Sequence, residues 1–286
     1  YGSYNEGMRA PTPTELSCAD PLTPCRLPTD FLADPALKPV VSKTWEAGVR
    51  GKVASDWRWN ATVFRTTLQD DIQFISSGQS FNLGYFQNVG ETRRQGLELG
   101  LGGKIEKLHL AANYQYLQAT FLSPVTFHNE ANSSADANGD FTARPGDYLP
   151  NLPRHSLKLR AAYDFTPEFT AGVNMISNAS VYARGDENNQ DANGKVAGYT
   201  VFNLDANWRF HSNWSSFLKV VNLFDREYST LGILGTNAFT AAGRSLDTDP
   251  ANWVSEQFQT PAAPRAAWIG VRYDFGGKPG PNVDVD

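Results

Sequence analysis

The sequence lacks any hydrophobic run long enough to cross a membrane as a helix. Its apolar runs extend over only a few residues, whereas a membrane helix requires roughly 20. Charge is also scarce: charged residues make up 19% of the 286 residues, and the net charge is −5 with an isoelectric point near 5.4. A surface that binds nucleic acid is basic, because it must neutralise phosphates. The composition therefore excludes a helical membrane protein and argues against a nucleic-acid partner.

Cysteine is nearly absent. The two cysteines, Cys18 and Cys25, lie close together in a proline-rich segment. In an oxidising compartment such a pair forms a disulfide, and we predict one that stiffens a single loop without a redox role. No signal peptide opens the chain, because Tyr1 already lies in a predicted strand, so we expect a mature protein or a fragment.

Aromatic residues, by contrast, are abundant. There are 7 Trp, 11 Tyr and 17 Phe, although the mean hydropathy is −0.42. This combination is typical of a β-barrel whose strands face lipid on one side and water on the other. Apolar and polar residues alternate with a period of two in nearly every segment between turn signals. In the last strand, for example, Ile269 and Val271 alternate with Gly270 and Arg272.

The alternation predicts nine strands, preceded by one that ends near Tyr4. The nine cover 43–53, 57–75, 86–103, 107–122, 153–166, 168–184, 199–211, 213–229 and 264–275. Tight turns alternate with long segments at 5–42, 76–85, 123–152, 185–198 and 230–263, which is the outer-membrane arrangement with the long loops outside. Aromatic residues cluster beside the tight turns, as an interfacial girdle does. They are Trp57, Trp59, Phe165, Phe169, Phe210, Trp214, Tyr273 and Phe275.

Charged side chains on the polar faces of these strands are expected to point into a barrel lumen, because a charge facing lipid at mid-bilayer costs about 2–4 kcal/mol. The predicted lumen-facing residues are Glu46, Arg50, Glu98, Lys158, Arg160, Asp205, Arg209 and Arg272. Two interpretations account for these charged residues. They contact a plug or a passing solute, or they form ion pairs with one another along the wall. Because open strand edges are not tolerated in lipid, a fragment requires partner strands from the full-length chain.

Five segments resemble, in order, the C-terminal half of the barrel of TonB-dependent receptors. They are 1–16 with its Arg-Ala-Pro and Glu-Leu pairs, 37–50, 86–98 with its Asn…Gly…Glu pattern, 221–228, and 263–275 with its aromatic end. The resemblance implies an all-β, antiparallel transmembrane barrel, with about ten strands of a total of about 22 in this chain, and barrels of that size hold a plug. Residues 1–275 then belong to the barrel and 276–286 to a polar periplasmic tail. The family's plug and energy-coupling box lie outside these segments.

The function implied by the resemblance is active nutrient uptake across the bacterial outer membrane. A scarce nutrient binds outside, and the TonB energy-coupling complex displaces or remodels the plug. Ferric siderophores are the most common cargo, and cobalamin, haem and carbohydrate are others; no cofactor is implied. A passive porin-like channel is the alternative. An enzyme would require a clustered nucleophile and base, which does not stand out, and a soluble sandwich leaves the alternation of loop lengths unexplained.

Aromatic and arginine side chains in the long loops are predicted ligand contacts, because such residues dominate binding surfaces. The candidates are Arg9, Tyr85, His128, Arg184, Phe239 and Trp253. His128 is also a candidate axial haem ligand, although a lone loop histidine is more often a bystander. Asp136, Asn138 and Asp140 have the spacing that begins a calcium loop, but the later bidentate acid is missing.

Overall fold

The computed structural model describes residues 1–17, 37–53, 56–76, 84–239 and 245–275. The predicted Cys18–Cys25 disulfide and the tail at 276–286 lie outside the described residues. The elements, in chain order, are β1 (Gly2–Arg9), α1 (Pro13–Ser17), β2 (Val40–Val53), β3 (Trp57–Gln69), β4 (Ile72–Ser76), β5 (Gly84–Asn88), β6 (Thr92–Ile105), β7 (Leu108–Phe121), β8 (Val125–His128), β9 (Asp140–Ala143), β10 (His155–Thr166), β11 (Phe169–Asn178), β12 (Tyr199–His211), β13 (Trp214–Val221), β14 (Ser229–Asn237), a 3-10 turn (Pro250–Asn252), β15 (Val254–Pro261) and β16 (Ala266–Tyr273). None of the described helices has the length and apolar character needed to span a membrane.

Ten of these strands form one antiparallel sheet, as predicted. Its order is β1-β2-β3-β6-β7-β10-β11-β12-β13-β16, so each strand of this wall pairs with the next wall strand along the chain. The remaining strands form three separate hairpins, β4/β5, β8/β9 and β14/β15. Each hairpin lies in a segment that connects two wall strands at the end opposite the short turns. β1 and β16 are the two edges of the sheet.

Several predicted strand limits are wrong, because single residues with positive φ interrupt the alternation. The predicted strand at 57–75 is two strands, divided at Asp70 (φ 53°). The predicted strand at 86–103 is likewise divided near Gly90 (φ 74°), where a Cβ atom would lie only 2.7 Å from the Ser123 hydroxyl. An extended strand cannot continue through such backbone.

Other predicted limits extend too far or stop too early. The strand predicted at 213–229 ends at Val221, because Asn222 has φ 49° and its side chain bonds to the next turn. The strand predicted at 168–184 ends at Asn178. The first strand continues past Tyr4 to Arg9, where it pairs with Val40. The predicted loops at 123–152 and 230–263 contain the hairpins β8/β9 and β14/β15.

The register of the wall separates an apolar face from a polar face. Side chains directly opposite one another lie on the same face of a sheet. Leu159, Ala112, Leu101 and Trp59 form one continuous row across β10, β7, β6 and β3. The neighbouring row, Lys158, Asn113, Gly100 and Asn60, is polar or glycine and lies on the opposite face. The alternation read from the sequence is therefore maintained across strand pairs.

The aromatic residues beside the short turns lie on the apolar face, and several of them contact one another. The Phe210 and Trp214 rings stack with centroids 6.5 Å apart, and Trp214 lies 4.8 Å from Tyr273. Tyr273 in turn meets Phe275 edge to face at 4.6 Å. Four of the eight girdle residues thus form a connected row at the short-turn end of the wall, and Phe165 and Phe169 form a separate pair.

Candidate functional site

A cleft of about 740 Å³ lies between two of the hairpins on the long-loop side of the wall. The β4/β5 hairpin contributes Ile75 and Tyr85, and the β8/β9 hairpin contributes Phe127, His128 and Asp140. Its volume falls within the roughly 300–1,000 Å³ of small-molecule sites. Two of the predicted ligand contacts, Tyr85 and His128, therefore line the same cleft.

His128 is oriented in this cleft by a carboxylate. Its Nδ1 atom lies 2.9 Å from Oδ1 of Asp140, the residue directly opposite it in the hairpin. Its Nε2 atom is buried and has no hydrogen-bond partner among the described residues. A carboxylate at Nδ1 holds the ring orientation and favours the tautomer with its proton there. The other ring nitrogen is then a buried acceptor that has no partner in the described part of the chain.

The base of the β4/β5 hairpin is anchored by a buried carboxylate that the sequence did not reveal. Asp71 is 6% exposed; its Oδ2 accepts a 2.7 Å hydrogen bond from the Thr92 hydroxyl and lies 3.3 Å from Arg94 Nη2. Both partners lie at the start of β6, so the contact ties the hairpin to the wall. The apolar part of the cleft lining belongs to a hydrophobic cluster that includes Ile75, Phe121 and Phe127.

The other four predicted ligand contacts are not brought into this cleft. Arg184 stacks on Phe74 of β4, with its guanidinium carbon 5.0 Å from the ring centroid, and so touches the hairpin that carries Tyr85. Arg9 is occupied by a 2.6 Å ion pair with Glu15. Two lie near the far end of the β14/β15 hairpin. They are Phe239, which bridges to Leu246, and Trp253, whose indole N–H donates to the Asp247 carbonyl.

The residues predicted as calcium ligands lie in a turn that the Asp136 side chain stabilises. The Asp136 carboxylate accepts the backbone N–H groups of Asn138 and Asp140 at 2.8 and 3.0 Å, and Asp140 is engaged with His128. Across the described ranges, no group of three or more His, Cys, Asp or Glu residues could hold a metal ion. A side chain that caps its own loop is the ordinary reason for Asp and Asn at such spacing.

The long loops are locked together by buried polar side chains. We call the segments 122–154 and 179–198, together with β14, the loop cap. Asn132 is 3% exposed and donates to the Gly185 carbonyl at 2.8 Å. The Asp191 carboxylate accepts the Ser133 N–H at 2.9 Å, and Arg184 pairs through its backbone with Gly232 of β14. The three segments therefore form one interlocked layer beyond the wall.

Asp186 is the most buried acid of the loop cap. It is 1% exposed; its Oδ1 accepts the N–H groups of Gln190 and Asp191, and its Oδ2 has no partner among the described residues. Burial raises the pKa of Asp186 to about 6, although those two hydrogen bonds favour the charged form. The nearby carboxylates of Asp191 and Asp147 raise the pKa further. This group therefore changes protonation close to physiological pH.

All eight predicted lumen-facing residues lie on the polar face of the wall by register and alternation. Arg160 on β10 forms a bidentate pair with Asp205 on β12, at 2.7 and 3.0 Å. Asn174 on β11, between them, also donates to Asp205 at 2.8 Å. Gln115 donates to Glu98 at 3.2 Å. Ion pairing and hydrogen bonding along the wall thus account for part of this set.

Two of the resembling motifs meet in space. Asn222 accepts the Arg226 N–H and donates to the Ala263 carbonyl, and Asp225 accepts the Arg265 N–H at 2.8 Å. The turn after β13 and the entry to β16 are therefore fastened together by two side chains of the 221–228 segment. The Asn, Asp and Gly content of the loops was a signal for such caps, but it does not identify their partners.

Comparison with known proteins places this arrangement in a family. Residues 1–223 match the model for the TonB dependent receptor-like β-barrel. The ferric-pyoverdine M114 receptor PbuA of Pseudomonas sp. (strain M114) is 31% identical over 229 residues, which is 76% of this chain and 24% of that receptor. The probable TonB-dependent siderophore receptor PiuA of Acinetobacter baumannii is 29% identical over 212 residues, covering 73% and 26%. The chain spans about a quarter of the length of these curated relatives.

Solved structures show the same fold. The siderophore receptor PiuA from Acinetobacter baumannii superposes with a TM-score of 0.58 at 22% identity, over 82% of this chain and 28% of that one. The copper transporter OprC superposes with a TM-score of 0.66 at 21% identity, over 96% and 36%. At these identities the likeness concerns the architecture of the sheet.

Proposed function

The chain belongs to the TonB-dependent receptor β-barrel family, and from that membership we propose that it forms the C-terminal barrel portion of a receptor that imports a ferric siderophore. The family consists of outer-membrane receptors and transporters, which places the chain in the outer membrane of a Gram-negative bacterium. Further strands of the full-length protein complete the barrel beyond β1 and β16, because open strand edges cannot face lipid.

The apolar face of the wall meets lipid, and the polar face lines the lumen. The connected aromatic row supports this orientation, since aromatic girdles mark the membrane interfaces of such barrels. The long loops then face outward and the short turns face the periplasm. The plug domain lies against the polar face, where charged residues such as Arg50 and Lys158 are exposed, and TonB acts on that plug from the periplasm.

The cleft beside Tyr85 and His128 is the observation that carries the substrate assignment. It lies on the long-loop side, has the volume of a small-molecule site, and presents an aromatic ring together with an oriented imidazole. Ring faces and hydrogen-bonding groups of this kind suit an organic iron chelate. The ferric-pyoverdine receptor PbuA and the probable siderophore receptor PiuA, which are similar to this chain, support the same class of cargo. None of these observations favours a passive channel.

Uptake of radioactive iron tests the proposal. The full-length gene is expressed in a receptor-deficient strain, with TonB present or deleted, and uptake is measured for a panel of ferric siderophores. We expect saturable uptake that requires both proteins. For Tyr85→Ala and His128→Ala we expect the half-saturating concentration to rise about tenfold, which corresponds to about 1.4 kcal/mol of binding. His211→Ala, beside a short turn, is the matched control and should leave uptake unchanged.

Uptake that persists without TonB would favour the passive channel. An absence of iron uptake with every siderophore would direct the search to cobalamin, haem or carbohydrate.

A further inference from the structure

The loop cap contains the same tetrapeptide twice. Asp-Ala-Asn-Gly occurs at 136–139, directly before β9, and again at 191–194, between β11 and β12. In both turns the aspartate carboxylate accepts the asparagine N–H, at 2.8 and 2.9 Å, and the aspartate carbonyl accepts the glycine N–H at 3.0 Å. Both glycines have a positive φ, 82° and 70°. The two tetrapeptides therefore form the same turn in two different surroundings.

An asparagine that is followed by glycine undergoes spontaneous deamidation more readily than other asparagines. The glycine nitrogen attacks Cγ of the asparagine and closes a succinimide ring, and its proton leaves with the side-chain nitrogen as ammonia. Water then opens the ring at either carbonyl, which leaves aspartate or isoaspartate without an oxidant or an enzyme. Glycine has no Cβ that would hinder this attack. Because the backbone must leave the turn before the two atoms meet, the packing of the glycine controls the rate.

The first turn is held from several sides. It leads directly into β9, whose first residue donates its N–H to the same aspartate carboxylate at 3.0 Å. The Gly139 carbonyl accepts the Asn129 N–H at 2.8 Å. Gly139 is buried, and a Cβ atom there would lie 2.8 Å from the His128 ring and 3.0 Å from Glu130. The Gly139 nitrogen is therefore restrained from approaching the Asn138 side chain.

The second turn is held by fewer contacts. Asn193 is exposed, and no atom of the described residues lies within 4 Å of the position that a Cβ would take at Gly194. The turn is closed by a single bridge between Val181 and Val196 and not by a strand pair. The Gly194 carbonyl accepts one bond from the Gln257 side chain, at 2.8 Å. Local opening costs less free energy where backbone is exposed and contacts are few, so this turn opens more often.

Asn193 also lies beside a carboxylate that locks the loop cap. Its side-chain amide forms a hydrogen bond with Asp191, and the same carboxylate accepts the Ser133 N–H at 2.9 Å. Asp191 in turn donates its own N–H to the buried Asp186 carboxylate at 2.9 Å. Deamidation replaces the amide donor with another carboxylate, and like charges at close range repel. The added charge therefore weakens the contacts between the two long segments of the loop cap.

We propose that Asn193–Gly194 is a site of spontaneous deamidation whose modification loosens the loop cap, and that packing protects the identical Asn138–Gly139 pair. Aspartate and isoaspartate both lack the amide that bonds to Asp191, and isoaspartate also lengthens the backbone of the turn. Since the reaction is irreversible, a population of the receptor becomes a mixture of locked and loosened molecules as it ages. The inference holds whichever cargo the receptor carries.

Peptide mass spectrometry of the full-length receptor in detergent tests the site. The protein is incubated at pH 7.5 and 37 °C, and the mass increase from amide to acid is followed at both asparagines. We expect Asn193 to convert at least about fivefold faster than Asn138, because its turn opens at a lower free energy. In urea-unfolded protein the two rates should become equal. Equal rates in the folded receptor, or faster conversion of Asn138, would overturn the inference.

Amide hydrogen exchange tests the consequence. Asn193→Asp introduces the charge of the product at once, Asn193→Gln keeps an amide, and Asn138→Asp is the matched control in the first turn. We expect exchange in residues 132–134 to accelerate about tenfold in Asn193→Asp and to stay unchanged in the other two variants. Wild-type protein that has aged to substantial conversion should show the same acceleration.

Unchanged exchange in both Asn193→Asp and the aged wild type would overturn the loosening of the loop cap. Heat-modified gel mobility reports that each barrel is folded. Iron uptake by cells that express these variants reports the proposed function separately, since neither the mass measurement nor the exchange measurement requires cargo.

Discussion

The wall and the loop cap of this chain are held together by different kinds of interaction. In the wall, ten strands pair with their neighbours, and side chains sort onto two faces by simple alternation. In the loop cap, buried polar groups from distant segments bond to one another, as Asn132 does with Gly185 and Asn151 with Gly232. A pair of wall strands repeats the same backbone pairing along its length, whereas each side-chain hydrogen bond of the loop cap occurs only once. The loss of one side chain should therefore matter more in the cap than in the wall.

Removal of the Phe121 ring is expected to give the largest effect. Phe121 is fully buried and meets Phe127 edge to face at 5.8 Å, at the junction of the wall and the β8/β9 hairpin. Truncation of a buried phenylalanine to alanine costs about 3–5 kcal/mol. For Phe121→Ala we expect amide hydrogen exchange in β8 and β9 to accelerate about a hundredfold or more, while wall amides change little.

The matched control for that truncation is Phe210→Ala, in the aromatic row of the apolar face, where the ring is 47% exposed. It removes the same ring from the wall and should leave exchange in the hairpin unchanged. Equal acceleration of exchange in both variants would show that the cap and the wall open as one unit, and the distinction between them would not hold.

Protonation of Asp186 gives the next largest effect. Its folded-state pKa of about 6 lies above the ordinary value of 3.8 for an aspartate, so its stabilising contribution is complete below pH 3.8 and is lost as the pH rises through about 6. The difference corresponds to on the order of 3 kcal/mol. Asp186→Asn keeps an acceptor for the two N–H groups without the charge. At pH 7.5 we expect its loop cap to exchange more slowly than the wild type.

At pH 4 that difference should vanish, because the wild-type carboxyl is then neutral as well. Comparison of two proteins at one pH cancels the intrinsic pH dependence of exchange. Asp136→Asn, an exposed turn cap, is the control and should show no such pH-dependent difference. Slower exchange of Asp186→Asn at both pH values would contradict an effect of charge burial.

The contrast between wall and cap also explains which features the sequence could predict. Strand pairing was readable because alternation is local: Ile269, Val271 and Tyr273 reveal their common face without any partner. Five of the ten wall strands were predicted to within three residues at both ends. The interruptions at Asp70 and Asn222 were missed, because a positive φ is set by contacts with distant groups such as the Ala263 carbonyl.

The candidate site was predictable in part for the same reason. Tyr85 and His128 were selected by residue type and loop position, and the hairpins bring both into one cleft. Residue type alone also selected Arg9, which is engaged by Glu15 six positions later. The anchor Asp71 was missed, since its partners Thr92 and Arg94 lie more than 20 residues away. Pairwise contacts of this kind leave no periodic trace in a sequence.

The smallest effect is expected for the ion pair on the polar face of the wall. A double-mutant cycle with Arg160→Gln and Asp205→Asn measures the coupling free energy of the bidentate pair, from urea unfolding of the full-length receptor in detergent. The Arg160 and Asp205 side chains are 37% and 23% exposed, so water screens them, and we expect a coupling of about 1 kcal/mol that falls at high salt. A coupling of this size is what we expect if this part of the wall faces a water-filled lumen.

A coupling of several kcal/mol that is insensitive to salt would mean that the pair is sealed from water, with the plug covering this part of the polar face. A coupling of zero would mean that charge pairing does not organise the wall, and that hydrogen bonding along the strands alone sets its register.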